Sequence, residues 1–286
     1  MWFVILSVIC SVSVGIFLKV AKRYNLNIFQ LITFNYLSAL LLTYTVYQPE
    51  VTKSYESIPY NLFISLAILL PVIFVIQAIS IKKTGIVKTD IAQRLSLFIP
   101  LIASYYLFNE NFTNLKIFGF IIGFSAIFFT LNKKSNKKSS NWIYPLLVLL
   151  GFGIIDILFK KVAVFPELGF TTSLFFIFCG AFLISILFII GKTLVQKEKL
   201  EPKNIFWGLA LGILNFGNIL FYLKAHKALS ENPSTVFAGM NMGVIILGSL
   251  AGILLFKEKI TKWNYFGIFL ALISIIIITY SQLLKN

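Results

Sequence analysis

YLFNENFTNLKIFGFIIGFSAIFFTL, residues 106–131, lies over LLFKEKITKWNYFGIFLALISIIIIT, residues 254–279, when the chain is slid by 148 positions. Without gaps, seven of the 26 positions are identical: Leu107/Leu255, Phe108/Phe256, Glu110/Glu258, Thr113/Thr261, Phe118/Phe266, Gly119/Gly267 and Ile127/Ile275. Matches among Phe, Leu and Ile carry little weight, because apolar segments share them by composition. The ordered polar matches carry more. Glu110-x-x-Thr113 and Glu258-x-x-Thr261 are each followed six residues on by a glycine. A weaker echo sets Lys19-Val20-Ala21 over Lys161-Val162-Ala163. Self-similarity of this kind marks two copies of one unit.

The solvent follows from composition. The 286 residues are 58% hydrophobic and 12% charged, with a mean hydropathy of +0.90. A soluble domain carries roughly 25% charged residues. Ten apolar runs stand out: Trp2–Val20, Ile28–Val46, Leu62–Ile81, Ile91–Phe108, Leu115–Leu131, Trp142–Phe159, Gly169–Ile190, Ile205–Leu223, Val236–Phe256 and Trp263–Leu283. Each has 17 to 22 residues, and a helix needs about 20 to cross a bilayer core. The short alternating segments of a membrane barrel are absent. Trp2–Val20 has no basic residues ahead of it and no small-x-small cleavage site, so it reads as a first helix rather than a signal peptide.

These runs predict an all-α integral membrane protein with ten transmembrane helices. Residues 1–131 form the first five-helix repeat, 132–141 a lysine-rich linker and 142–286 the second repeat. A copy that follows five crossings enters the membrane upside down. The halves are therefore inverted repeats, an arrangement that places a site near the midplane between them.

Net charge is +15, which suggests nucleic acid until its distribution is read. Seventeen of the 25 Lys and Arg residues fall in the connections after helices one, three, five, seven and nine, seven on the other face, and Arg94 inside helix four. That asymmetry is the positive-inside signal, and KKSNKK at 133–138 is then a topological anchor. It puts both termini outside the cytoplasm and excludes nucleic acid as the partner. Cys10 and Cys179 sit in separate apolar runs, as small buried hydrophobes do. With His226 as the single histidine, no metal-ligand cluster or cofactor is expected.

Ten helices in two five-helix halves, with LFNENFTNLKIFGFIIG and LFKEKITKWNYFGIFLA at corresponding places, resemble the drug/metabolite transporter superfamily, EamA-type branch. The resemblance rests on Glu110/Gly119 and Glu258/Gly267 and covers nearly the whole chain. It implies a secondary transporter of small metabolites, amino-acid-like or other small organic ions, working by export or exchange through alternating access. The localisation it implies is the cell membrane, multi-pass, and the cytoplasmic membrane if bacterial. One departure matters: Pro100 stands in the fourth helix of the first half, and Gly248 holds the matching place in the second.

Several polar groups lie where charge or hydrogen-bonding capacity is costly. TDIAQRLSLFIP, residues 89–100, sets Asp90, Gln93 and Arg94 on one helical face. The trio is either an i, i+4 ion pair near the interface or a cavity wall in which Arg94 offers planar donors to an anionic group. The repeat lays Gln93 over Asn241. A second stripe, Asn215, Asn218, Tyr222 and His226, follows one face of helix eight at spacings of 3, 4 and 4; cavity lining and interhelical bonding both fit, while His226 reads as a solvated interfacial residue. Asn35 and Tyr36, deep in helix two, join the candidate wall. Asp156, four residues before Lys160, reads either as an ion pair with it or as a proton-coupling carboxylate. Glu110 and Glu258 precede helices and read as caps and loop anchors.

Enzymatic readings find little purchase. Neither H-E-x-x-H nor G-x-S-x-G occurs. A paired-aspartate site would need carboxylates from helices four and six. A lipid-carrier flippase on the same fold is the alternative that an Arg94–phosphate contact would permit.

The orientation is directly testable. Alkaline phosphatase, active only outside the cytoplasm, is expected to be active when fused after Asn286 and silent when fused into the 132–141 linker. The opposite pattern overturns the charge reading.

Overall fold

Inside hydrocarbon every backbone N–H and C=O has to be bonded within its own segment, and this chain meets that demand with helices alone. The structure, a computed structural model, describes residues 1–21, 24, 26–49, 58–130, 142–197, 199–257 and 261–284. Glu258 and the 132–141 linker lie outside those residues. The described helices are α1 (Trp2–Ala21), α2 (Ile28–Tyr47), α3 (Tyr60–Thr84), α4 (Ile86–Leu95), α5 (Phe98–Tyr106), α6 (Asn114–Thr130), α7 (Ile143–Ala163), α8 (Phe170–Gln196), α9 (Pro202–Ala228), α10 (Pro233–Phe256) and α11 (Lys262–Leu283). Seven of them, α1, α2, α3, α8, α9, α10 and α11, are long and apolar enough to span a membrane.

Eleven helices serve ten membrane segments because the fourth segment is broken. Pro100 has no N–H to give the Ser96 carbonyl. The Ile99 N–H reaches that carbonyl instead, at 3.0 Å, and the Leu97 N–H bonds the Arg94 carbonyl at 3.3 Å. The tightened turn at Ser96-Leu97 separates α4 from α5. With Gly248 at the matching place, α10 runs unbroken over 24 residues. The halves therefore bend differently. The fourth segment also starts at Ile86 rather than Ile91, because Lys88, Thr89 and Asp90 are helical despite their polarity.

Treating α4 and α5 as one segment, the second repeat answers the first as α7 to α1, α8 to α2, α9 to α3, α10 to α4–α5 and α11 to α6. The packing obeys this exchange. α1 packs on α9 and α10, and α7 packs on α3 and on α4–α5. α2 packs on α9, and α8 on α3; α2 meets α8 and α6 meets α11 across the pseudo-twofold itself. With five crossings per half, the axis lies in the membrane plane, and the two halves are inverted repeats.

Association in lipid depends on close contact, which small side chains permit. At α6–α11 a Cβ on Gly119 would stand 2.7 Å from Ile278 Cγ1, and one on Gly267 would stand 2.6 Å from Thr130 N. Residue 278 lies 148 positions beyond 130, just as 267 lies beyond 119, so the two contacts are symmetry mates. Ser274 adds a 2.8 Å hydrogen bond to the Gly119 carbonyl. Gly208 and Gly212 do the same work at α2–α9, where a Cβ on Gly212 would meet the Asn35 carbonyl oxygen and, at 2.5 Å, Ser38 Cβ.

Gly119→Leu and Gly267→Leu are each expected to destabilise the protein in detergent by about 1–3 kcal/mol through overpacking. Thermal unfolding followed by loss of monodisperse elution measures this. A melting temperature equal to wild type for both would remove the glycine contacts as the reason for their positions.

Candidate functional site

The stripe predicted on the eighth membrane segment faces the protein interior, on α9. Asn218 accepts the Ser7 hydroxyl of α1 at 2.9 Å, both at its side-chain oxygen and at its carbonyl. Tyr222 donates to Asp156 of α7 at 2.8 Å. Asn215 is buried and its Nδ2 has no partner among the described residues. On α2, Asn35 Oδ1 and the Tyr36 hydroxyl are likewise buried and, among the described residues, unpartnered. Gly208 and Gly212 bring the two backbones together one turn from these side chains, so the close approach sets their position. Aromatic faces continue the region: Tyr36 lies 6.4 Å from Phe178, and Phe178 lies 6.5 Å from Phe216.

His226 is a correction to the sequence reading. It is fully buried, with both ring nitrogens unpartnered among the described residues. The rings of Tyr222 and Phe237 each lie 4.6 Å away. α9 continues to Ala228, and α10 folds back across its last turns, which takes His226 out of the interface. The Asp156–Lys160 ion pair is a second correction. Lys160, also buried, donates to the Ser230 carbonyl at 2.5 Å, where the chain leaves α9. Asp156 has Tyr222 instead.

The trio on α4 divides its attention. Arg94 Nε stands 3.5 Å from Asp90 Oδ1. Gln93 accepts from Gln77 of α3 at 2.8 Å. Asn241, the repeat mate of Gln93, donates to the Phe237 carbonyl of its own helix at 3.1 Å. The other side of α4 lines a cavity of about 370 Å³ with Thr84, Lys88, Ile91, Leu95, Trp142 and Pro145 among its walls. Asp90, Gln93 and Arg94 are not among them.

Glu110 caps a helix, but not the one that follows it. Its carboxylate accepts the backbone N–H of Ser234 at 2.9 Å and the Ser234 hydroxyl at 2.6 Å, at the N-terminus of α10, and it pairs with Lys116. Lys116 also donates to Asn232 at 3.3 Å. Negative charge at a helix N-terminus is favourable, and here it binds the first half to the second. Sequence reading also missed Gln30, which accepts from Asn204 at 2.9 Å and from the Glu201 N–H at 3.2 Å, joining the starts of α2 and α9. Amides in the first turn of an apolar helix were the available signal.

The profile of the EamA-like transporter family matches residues 1–132 and again 140–280. The chain belongs to that family. Members of the EamA-like family are small-molecule transporters of the membrane, and this chain is one. It is 38% identical over 287 aligned residues to an uncharacterized protein of Haemophilus influenzae, covering 96% of this chain and 97% of the other. It is 28% identical over 218 residues to a Lactobacillus helveticus protein provisionally named for sugar uptake, covering 70% and 71% of the two chains. A crystal structure of a protein at 11% identity superposes over 97% of both chains with a TM-score of 0.73, which speaks to the fold.

The two ion pairs predict different behaviour. Asp90 and Arg94 side chains are 42% and 18% exposed, so a double-mutant cycle of Asp90→Asn and Arg94→Ala is expected to give a coupling of at most about 1 kcal/mol. Glu110→Gln takes the carboxylate from a buried ion pair with Lys116 and from the N-terminus of α10, at an expected cost of about 3–5 kcal/mol. Chemical denaturation in detergent compares them, and equal costs would contradict the burial argument.

Proposed function

We propose that this EamA-like transporter carries a small polar metabolite by alternating access of its two halves, holding it in mid-membrane where α2 meets α9. One observation carries the reading: Asn35 Oδ1, Tyr36 Oη and Asn215 Nδ2 are buried without partners. A buried polar group left unsatisfied costs about 1–3 kcal/mol, and native proteins keep few of them. Three on the packed helices α2 and α9 are suited to a ligand that supplies the missing bonds. All three are neutral and stand beside aromatic faces, which favours a substrate rich in hydroxyl or amide groups. The sugar named for the Lactobacillus relative has that chemistry. An amino-acid-like or other ionic substrate would draw on Arg94, with Gln93 and Asn241 beside it, and would have to compete with Asp90 for the guanidinium. Direction, whether export, uptake or exchange, follows the gradients, because alternating access is reversible.

The cavity between α4 and α7 favours a second reading, a lipid carrier on the same fold. Its walls are apolar apart from Thr84 and Lys88, as an acyl chain beside a headgroup-level cation requires. No residue of α9 lines it, so the two readings use different surfaces.

Reconstituted vesicles assayed with a radiolabelled panel of sugars, amino acids and organic acids distinguish these readings. For the substrate found, Asn35→Ala and Asn215→Ala are expected to lower the initial rate about tenfold or more, the loss of roughly one buried hydrogen bond. Asn218→Ala, whose amide serves Ser7, should cost less than about threefold. Wild-type rates for both Asn35→Ala and Asn215→Ala would move the site elsewhere.

A further inference from the structure

The chain has two aspartates. Asp90 faces Arg94 one turn away. Asp156 has a lysine at the same spacing, yet Lys160 turns to the Ser230 carbonyl, and among the described residues the carboxylate has no ion pair. Its partner is the Tyr222 hydroxyl at 2.8 Å. One turn further along α9 lies His226, 4.6 Å from the Tyr222 ring and with neither nitrogen bonded to a described residue. Asp156 as a residue is only partly buried within a largely apolar helix.

The surroundings leave the carboxyl as the group free to change charge. From α9 the titratable neighbours are Tyr222 and His226, and on α7 there is Lys160. Glu110 acts on Lys160 from the connection before α6 and is itself paired with Lys116. α3 sets Ile73 against this stretch of α7, at Gly151, α5 sets Ile99 at Gly153, and Phe108, in the connection after α5, lies near Lys160. α4 meets α7 earlier, at Pro145 to Leu149.

We propose that Asp156, held by Tyr222 and flanked by His226, binds the proton that couples substrate movement to the transmembrane proton gradient. The inference rests on the transporter reading above. One proton adds to a carboxylate oxygen from the side to which the site is open, and leaves to the other side after the halves rock. No bond other than that O–H forms or breaks. The tyrosine hydroxyl donates to a carboxylate oxygen in one state and to the carbonyl oxygen of the acid in the other, so the packing survives both. Closing the passage around a charged carboxylate is costly. Closing it around a protonated, hydrogen-bonded acid costs far less, so only the protonated or substrate-loaded carrier turns over readily.

The test needs no substrate, so it is independent of which metabolite is carried and of whether Asn35 and Asn215 bind it. In full-length protein with Cys10 and Cys179 changed to Ser, Thr235→Cys places a thiol at a fully buried position in the first turn of α10. Its labelling by a membrane-impermeant maleimide in nanodiscs is followed from acid to alkaline buffer, corrected for the reagent's own pH dependence on a free thiol. The labelling rate is expected to change about tenfold with pH. Asp156→Asn should hold it constant, and Asp156→Glu should restore the response. Infrared difference spectra between the two buffers should show a carboxylic acid band that Asp156→Asn removes. An unchanged pH response in Asp156→Asn overturns the proposal, as does a response lost only in His226→Asn. A rate that follows sodium against choline at constant pH also overturns it.

Discussion

The contact between α6 and α11 sets the terms for the rest of the molecule. Lipid offers no hydrophobic drive for two helices to associate, so the halves cohere through backbone proximity. Gly119 and Gly267 supply that proximity twice, at places related by the repeat itself. The seam fixes the pseudo-twofold, and the pseudo-twofold fixes which helices face one another. α2 and α9 are pressed together by Gly208 and Gly212 through the same device. Asn35 and Asn215, each near the middle of its helix, stand beside that close approach.

Polar groups in this protein fall into two economies. Asn218, Gln30, Asn204, Glu110 and Lys116 are satisfied within the protein, mostly across helix pairs, and their bonds hold the fold. Asn35, Tyr36, Asn215 and His226 keep atoms without partners. Removing a member of the first group leaves its partner unsatisfied and weakens the fold. Removing a member of the second leaves the fold's bonds intact, which is what separates a structural from a ligand-facing role in mutational data.

The sequence made the helix count, the repeat and the inward face of α9 legible, because each depends on local periodicity or on the 148-residue shift. The Asp90–Arg94 pair was one of two readings that spacing allowed. Lys160 shows why spacing alone is insufficient. At the same i, i+4 distance from Asp156, it finds a carbonyl at the end of α9 that no local rule reveals. Glu110 was legible as a cap, but its helix was not, since α10 arrives from 124 residues away. His226 lies between Lys224 and Lys227, and those charges suggested water where α10 in fact packs. The break at Ser96-Leu97 follows from Pro100 once the helix is built. Composition alone could not separate one bent segment from two short helices.

Two identical halves related by an in-plane twofold would give inward-open and outward-open states of equal energy, since exchanging the halves converts one into the other. Pro100 against Gly248 removes that degeneracy. A hinge between α4 and α5 has no counterpart in the continuous rod of α10, so opening toward one side flexes a jointed element and opening toward the other bends a stiff one. On the alternating-access mechanism proposed above, the empty carrier would have a resting side in the absence of any gradient, and Pro100 against Gly248 is one source of that preference.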